Sequence, residues 1–250
     1  MQEIQLHPSD LCFPRSLRAI LIGPSQCGKS KYMMDMVRYK DRVFAKPYTK
    51  FIFCSPNYES ALTSPRDEAY RQEMIALAEP AEMVFYDHII TEEELAEESE
   101  HGSQHLLCFI DDFSDQVFSQ NVTTQLFCRL SSHQQIDTVI GLHHGITSKQ
   151  AGGKNSGMIW NSANVIVLFR SLANRASIGF ISTKMFPYAN NHLEKCLNQA
   201  TQILGNYAKI VIFANLDNDL NSNFSVRANV LGDRNLILFK NPSYYAIGLK

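Results

Sequence analysis

The sequence is poor in several features that would narrow its class at once. It has one tryptophan, and 19% of its residues are charged, with 23 Lys and Arg set against 25 Asp and Glu. A formal net charge of −2 gives no global attraction to a polyanion, so any nucleic-acid contact must come from local basic segments. No stretch reaches the ~18 apolar residues of a membrane span, and the N-terminus has no signal-peptide core. A soluble, intracellular chain with no membrane partner is therefore expected. The six cysteines form no C-x-x-C pair, and several fall in apolar runs, which predicts buried reduced thiols rather than a disulfide framework. No internal repeat is evident. The low charge does not signal disorder, because 45% hydrophobic content over 250 residues is enough for a full core.

What the chain does contain is Gly23-Pro24-Ser25-Gln26-Cys27-Gly28-Lys29-Ser30, which fits G-x-x-x-x-G-K-[ST] at every fixed position. The apolar run Leu17 to Ile22 before it reads as a buried strand, and Lys31 to Tyr39 after it reads as a helix. In that context the glycines let successive N–H groups turn toward an anion, and the helix N-terminus adds partial positive charge at the same spot. Lys29 is expected to reach the β- and γ-phosphates of a nucleotide and Ser30 to ligate Mg²⁺.

The rest of the chain alternates strands and helices. Residues 1–16 form a polar lead-in, 17–215 an α/β domain, and 216–250 a C-terminal loop with a β-hairpin around Gly232-Asp233. Short strands are predicted at Lys50 to Cys54, Met83 to Tyr86, Leu106 to Ile110, Thr138 to Leu142, Asn164 to Phe169 and Ile210 to Ala214. Helices are predicted from Pro65 to about Ala78, from the capping box at Thr91 to about Glu98, over Gln116 to Leu130, and over Leu193 to Leu204. Thr147 to Gly157 reads as a polar loop. The fold expected is a P-loop NTPase of ASCE/RecA-like type, a mostly parallel central sheet with helices on both faces. In such sheets ligands lie at the carboxyl ends of the strands, which places Gly23, Asp111, His143 and Arg170 along one edge.

Asp111-Asp112 closes a strand that is apolar throughout. Mg²⁺ takes one or two carboxylates beside the nucleotide phosphates, a role that suits Asp111, while Asp112 could orient the water that attacks the γ-phosphate. His143-His144 ends the strand expected beside the phosphate-loop strand, where a polar group can sense the γ-phosphate. With His133 they also suggest zinc, but no cysteine or carboxylate spacing completes such a site. Arg129, Arg170 and Arg175 are the arginines in the relevant half that could meet transition-state charge.

Taken together, Gly-Pro-Ser-Gln-Cys-Gly-Lys-Ser, Phe-Ile-Asp-Asp-Phe, the Ser-His-Gln-Gln-Ile-Asp-Thr-Val-Ile-Gly-Leu-His-His run and Trp-Asn-Ser-Ala-Asn-Val-Ile-Val-Leu-Phe-Arg resemble the poxvirus-type genome-packaging ATPases. These belong to the FtsK–HerA superfamily and occur in large DNA viruses, virophages and Polinton-like elements. The resemblance spans about Leu17 to Pro187. It implies an ATP- and Mg²⁺-dependent translocase of double-stranded DNA, working as a homo-oligomeric ring (pentamer or hexamer) at a capsid or portal vertex. It implies Lys29 and Ser30 as nucleotide residues, Asp111 as the Mg²⁺ partner, Asp112 as the catalytic carboxylate, and Arg129 as a finger acting across a subunit interface. Where the family usually has Thr-Gln, this sequence has His143-His144. Lys149, Lys154 and Arg175, with Arg129, could meet the DNA backbone, and Ala151 to Asn155 could form a pore loop. Two other classes fit the phosphate loop alone: a small P-loop phosphotransferase acting on a metabolite, and a binding protein gated by nucleotide.

Overall fold

The computed structural model describes residues 13–14, 16–58, 64–99, 104–113, 116–130, 135–143, 154–169, 178–179, 181–182, 192–205, 208–213, 225–228, 231 and 236–240. The first strand, β1 (Arg18–Ile22), leads through the glycine loop into α1 (Lys29–Arg38) and the short α2 (Lys40–Val43). β2 (Lys50–Cys54), α3 (Pro65–Ala78), β3 (Glu82–Tyr86), α4 (Glu92–Glu98) and β4 (Leu106–Ile110) follow. Next come α5 (Asn121–Gln125), which runs on into a π-helical turn at Leu126–Leu130, and β5 (Ile136–Leu142). The chain continues with α6 (Lys154–Ser162), β6 (Val165–Phe169), α7 (His192–Leu204) and β7 (Lys209–Phe213). β8 (Ser225–Ala228) and β9 (Leu236–Lys240) are the last described strands.

Among the described residues these strands make one nine-stranded sheet in the order β3-β2-β4-β5-β1-β6-β7-β8-β9. The six strands from β3 to β6 are mutually parallel, and β7, β8 and β9 add antiparallel at one edge. The strands expected around Gly232-Asp233 thus continue the central sheet, β8 pairing with β7 and β9 with β8.

Parallel central strands are covered on both faces, so they read as unbroken apolar runs instead of alternating ones. β2 and β4 are buried at every position. Alternate side chains feed two separate cores. One gathers Leu21, Phe53, Phe109, Val139 and Val167 with Met33 and Met36 of α1 and Met74 of α3. The other gathers Ile22, Ile52, Cys108, Ile140 and Leu168 with Leu95 of α4, Phe127, Ile159 of α6 and Leu197 of α7. The cysteines at 54, 108 and 196 are buried and free, as the spacing predicted.

Three local differences from the sequence reading have physical causes. The stretch Gln116 to Leu130 is not one helix: residues 116–119 form a turn, and Leu126–Leu130 widens to π geometry. α6 begins inside the segment read as a loop, because Gly157 breaks its helical pattern while Ile159 still anchors it in the core. β5 begins two residues earlier than Thr138, because buried Asp137 interrupts the apolar run. Among the described residues no helix is long and apolar enough to cross a membrane.

Candidate nucleotide site

The loop after β1 turns sharply before α1 begins. Gly28, directly before the first helical residue, has φ 100°, and Gln26 has φ 63°. Both lie in the left-handed region that a residue without a Cβ adopts at no steric cost. Gly28 is therefore required by its backbone, not by crowding, since a Cβ there would meet nothing within 4 Å.

Lys29 is 5% exposed, and its ammonium is occupied within the loop. Nζ donates to the carbonyl of Gly23 at 2.9 Å and of Pro24 at 3.1 Å, with His143 Nδ1 at 3.4 Å. Ser30 Oγ donates to Asp111 Oδ2 at 2.6 Å. The loop and the end of β4 are thus joined by the two side chains that a metal–phosphate site needs. Between them runs β5, hydrogen-bonded to β1 on one side and to β4 on the other.

The two consecutive acids do different things. Asp111 is buried, with no partner for Oδ1 among the described residues, and burial raises its pKa against the lowering effect of the Ser30 hydrogen bond. Gly141 on β5 lies directly against it: a Cβ at that position would be 2.3 Å from Asp111 Oδ1. Asp112 has φ 63° and turns the chain off the strand. Its side chain is one-third exposed, with Oδ1 2.9 Å from His143 Nε2 and Oδ2 accepting from Asn57 Nδ2 at 3.3 Å.

His143 sits at the hub of these contacts. An ammonium can only donate, so Nδ1 facing Lys29 acts as acceptor, and Ser25 Oγ can donate to the same nitrogen at 3.2 Å. These partners assign the ring proton to Nε2, which donates it to Asp112. One imidazole therefore links the loop lysine to the second acid.

The cleft over these groups has a volume of about 600 Å³ and is lined by Ser25 to Lys31, Arg66, Asp112 and His143. A smaller cavity of about 160 Å³ lies around Phe13, Tyr48, His105 and Asp137, near the amino ends of the strands and away from the loop. Asp111 does not line the phosphate cleft; it reaches it through Ser30. A divalent cation fits this donor set, with the Ser30 hydroxyl facing the cleft and a buried carboxylate behind it. Among the described residues no cluster of three His, Cys, Asp or Glu side chains could hold a metal unaided. Mg²⁺ is well suited to such a place, since it takes the rest of its ligands from phosphate and water.

Of the residues singled out from sequence, Gly23 to Ser30, Asp111, Asp112 and His143 come together at one sheet edge. Arg129 does not join them. It is exposed on the π-helical turn, whose neighbour Cys128 contacts Ser162 at 3.3 Å, just before β6 begins. That is the amino end of the strands, opposite the loop. His144, Arg170, Arg175, His133, Lys149 and the segment Ala151 to Gly153 lie outside the described residues, as do the side chains of Lys154 and Asn155. Sequence reasoning did not single out Asn57, Tyr70 or Arg66. Tyr70 OH donates to the Ser30 carbonyl at 2.8 Å, and burial raises its pKa.

A glycine loop between β1 and α1, a Lys-Ser pair at the helix start, and a second acid-tipped strand one strand away are the parts of a P-loop NTPase, and the chain has that α/β fold. No protein-family model matches the chain, and no curated protein matches it. Among solved structures it is similar to the genome packaging NTPase B204 from Sulfolobus turreted icosahedral virus 2 in complex with ATP-gammaS. That similarity has 12% identity and a TM-score of 0.43, over 79% of this chain and 91% of that one. It is also similar to Thermomonospora curvata EccC (ATPases 2 and 3), at 12% identity and a TM-score of 0.37, over 60% of this chain and 29% of that one. For the Legionella pneumophila ATPase DotB the identity is 11% and the TM-score 0.39, over 65% and 42%. The candidate site is defined by its own side chains, independently of these likenesses.

Proposed function

We propose that the chain hydrolyses ATP in this cleft and couples the reaction to movement of double-stranded DNA, packaging a viral genome into a capsid. The observation that carries the hydrolytic part is the double restraint on Asp112. His143 holds one carboxylate oxygen and Asn57 the other, at the open side of a cleft floored by Lys29 and Ser30. A carboxylate fixed in that way can take a hydrogen bond from a water and aim it at the terminal phosphate.

On nucleotide binding, Lys29 exchanges its loop carbonyls for phosphate oxygens, and the loop N–H groups and the start of α1 receive the remaining charge. Ser30, oriented by Asp111, would hold Mg²⁺, which would supply positive charge to the nucleotide phosphates. His143, facing Lys29 through Nδ1, keeps its Nε2 hydrogen bond to Asp112, so a change at Lys29 is felt at the end of β5.

The translocation part rests on the sequence resemblance: the order of the loop motif, Phe-Ile-Asp-Asp-Phe, the His-tipped strand and the Asn-Ser-x-x-x-Ile-Val-Leu-Phe strand. In this reading the chain acts as a homo-oligomeric ring around the duplex at a capsid or portal vertex. Arg129, far from its own cleft, would serve a neighbouring subunit.

Asp112→Asn tests the hydrolytic assignment. The variant should bind ATP as the parent does and lose turnover by ~10²-fold or more. Parental turnover in that variant would remove Asp112 from its role. For the motor, steady-state ATPase should rise on adding duplex DNA at low salt, and the gain should fade as salt screens the contacts. Phosphate transfer to a nucleoside, with no response to DNA, would favour a phosphotransferase instead.

A further inference from the structure

Arg129 lies away from its own cleft, so it leaves open which arginine of the chain itself could meet the transferred phosphate. Arg66 fills that place. It occupies the second position of α3, directly after Pro65, where Ser64 caps the helix by accepting from Asp67 N at 3.2 Å. Four residues on, Tyr70 projects from the same face, since side chains at i and i+4 are stacked along a helix. Tyr70 OH is bonded to the carbonyl of Ser30, the residue that would hold the cation. The helix is therefore docked on the phosphate loop, and Arg66 extends that docked face by one turn into the cleft it lines with Asp112 and His143.

Neighbouring arginines are committed elsewhere. Arg38 pairs with Asp35 and Glu73, Arg71 pairs with Glu68 and covers the Phe85 ring, and Arg42 donates to the Leu231 carbonyl. Arg66 has no ion pair, hydrogen bond or ring contact among the described residues. An exposed, uncommitted guanidinium on a rigid helix end, facing a phosphate cleft, is well placed to take up anionic charge.

We infer that Arg66 is a catalytic residue supplied by the chain itself, contacting the terminal phosphate oxygens from the Asp112 side as charge builds up on them. The inference rests on the nucleotide reading of the cleft. It adds to the site an arginine from the chain itself, beside the one that a neighbouring subunit would supply.

The test compares the full-length parent with Arg66→Ala and Arg66→Lys, using ATP, ADP and ADP with aluminium fluoride, each with Mg²⁺. Arg66→Ala should hold ADP within about fivefold of the parent, as an exposed charge contributes little to ground-state binding. Its turnover should fall ~10²-fold or more, and aluminium fluoride should no longer trap ADP. Arg66→Lys should recover part of the rate. The thermal midpoint should not move, because among the described residues the side chain makes no ion pair, hydrogen bond or ring contact. Mixing Arg66→Ala with Lys29→Ala separates the two possible sources of the arginine. An in-chain arginine gives no recovery of activity, whereas recovery would mean that the arginine acts across subunits and would overturn the assignment. Parental turnover in Arg66→Ala would overturn it as well. If the parent itself failed to bind ATP or ADP, the nucleotide reading would fall, and the assignment with it. That result is distinguishable from a parent that binds and hydrolyses normally while Arg66→Ala does the same.

Discussion

At Asp111, burial and charge pull in opposite directions. The carboxyl is almost fully enclosed, one oxygen accepts from Ser30, the other has no partner among the described residues, and its pKa is raised, chiefly by desolvation. A carboxyl with a raised folded pKa binds its proton more tightly in the folded than in the unfolded chain. Stability from this group is thus lost as pH rises from the unfolded pKa through the folded one. Asp111→Asn should therefore make the nucleotide-free protein more stable than the parent at neutral pH. The gain should shrink to nothing as pH falls through the carboxylate range, which thermal melts across pH would read directly. The same variant should hydrolyse poorly, because the site trades stability for a carboxylate behind Ser30. The loop, both acids and the His-tipped strand end were legible because each is a local pattern: a fixed spacing, or a polar tip on an apolar run. Arg66 was not, since its meaning lies in lacking a partner, and partners on other elements cannot be read from a sequence.

Among the elements, β5 carries the tightest constraint. It sits between β1 and β4, and Gly141 leaves room for the Asp111 carboxylate where any side chain would collide with Oδ1 at 2.3 Å and with Met33 Cε at 3.2 Å. Gly141→Ala must push Asp111 aside, breaking its bond to Ser30. The expected result is a shift of half-saturating Mg²⁺ for ATPase to higher concentration together with a lower melting temperature. Unchanged Mg²⁺ dependence would show that Asp111 does not act through Ser30. Elements whose ends carry their own chemistry were legible to the residue: the Pro65 start of α3, the Thr91 box of α4, and the unbroken apolar run of β4. The start of β5 was not, because its polar residue at 137 takes the hydrogen bond on its Oδ2 from Tyr48, outside the strand. Nor was the reversal at β7, since an apolar run of five residues carries no mark of its direction.

Across the whole molecule the sheet separates two edges with different tasks. The carboxyl edge holds the cleft, and the amino edge is tied together by a buried knot. There Tyr48 OH donates to Asp137 Oδ2 at 2.5 Å, His105 Nε2 lies 3.6 Å from the same oxygen, and the Tyr48 and His105 rings are 4.2 Å apart. These residues precede β2 and β4 and begin β5, so the knot fixes three strands at their starts. Tyr48→Phe removes the donor from a buried carboxylate and should cost about 1–3 kcal/mol, read as a lower urea midpoint with nucleotide affinity unchanged.

One consequence of the strand order remains. β1 and β4 are the jaws of a caliper, and β5 is the gauge block between them. Adjacent strands lie ~4.8 Å apart, so the jaws stand roughly 10 Å apart and stay so while the sheet is intact. No loop motion can open or narrow that gap. Control of the reaction by a partner must then act on what reaches across it: the His143 imidazole from the tip of the gauge block, or α3 leaning over from the side.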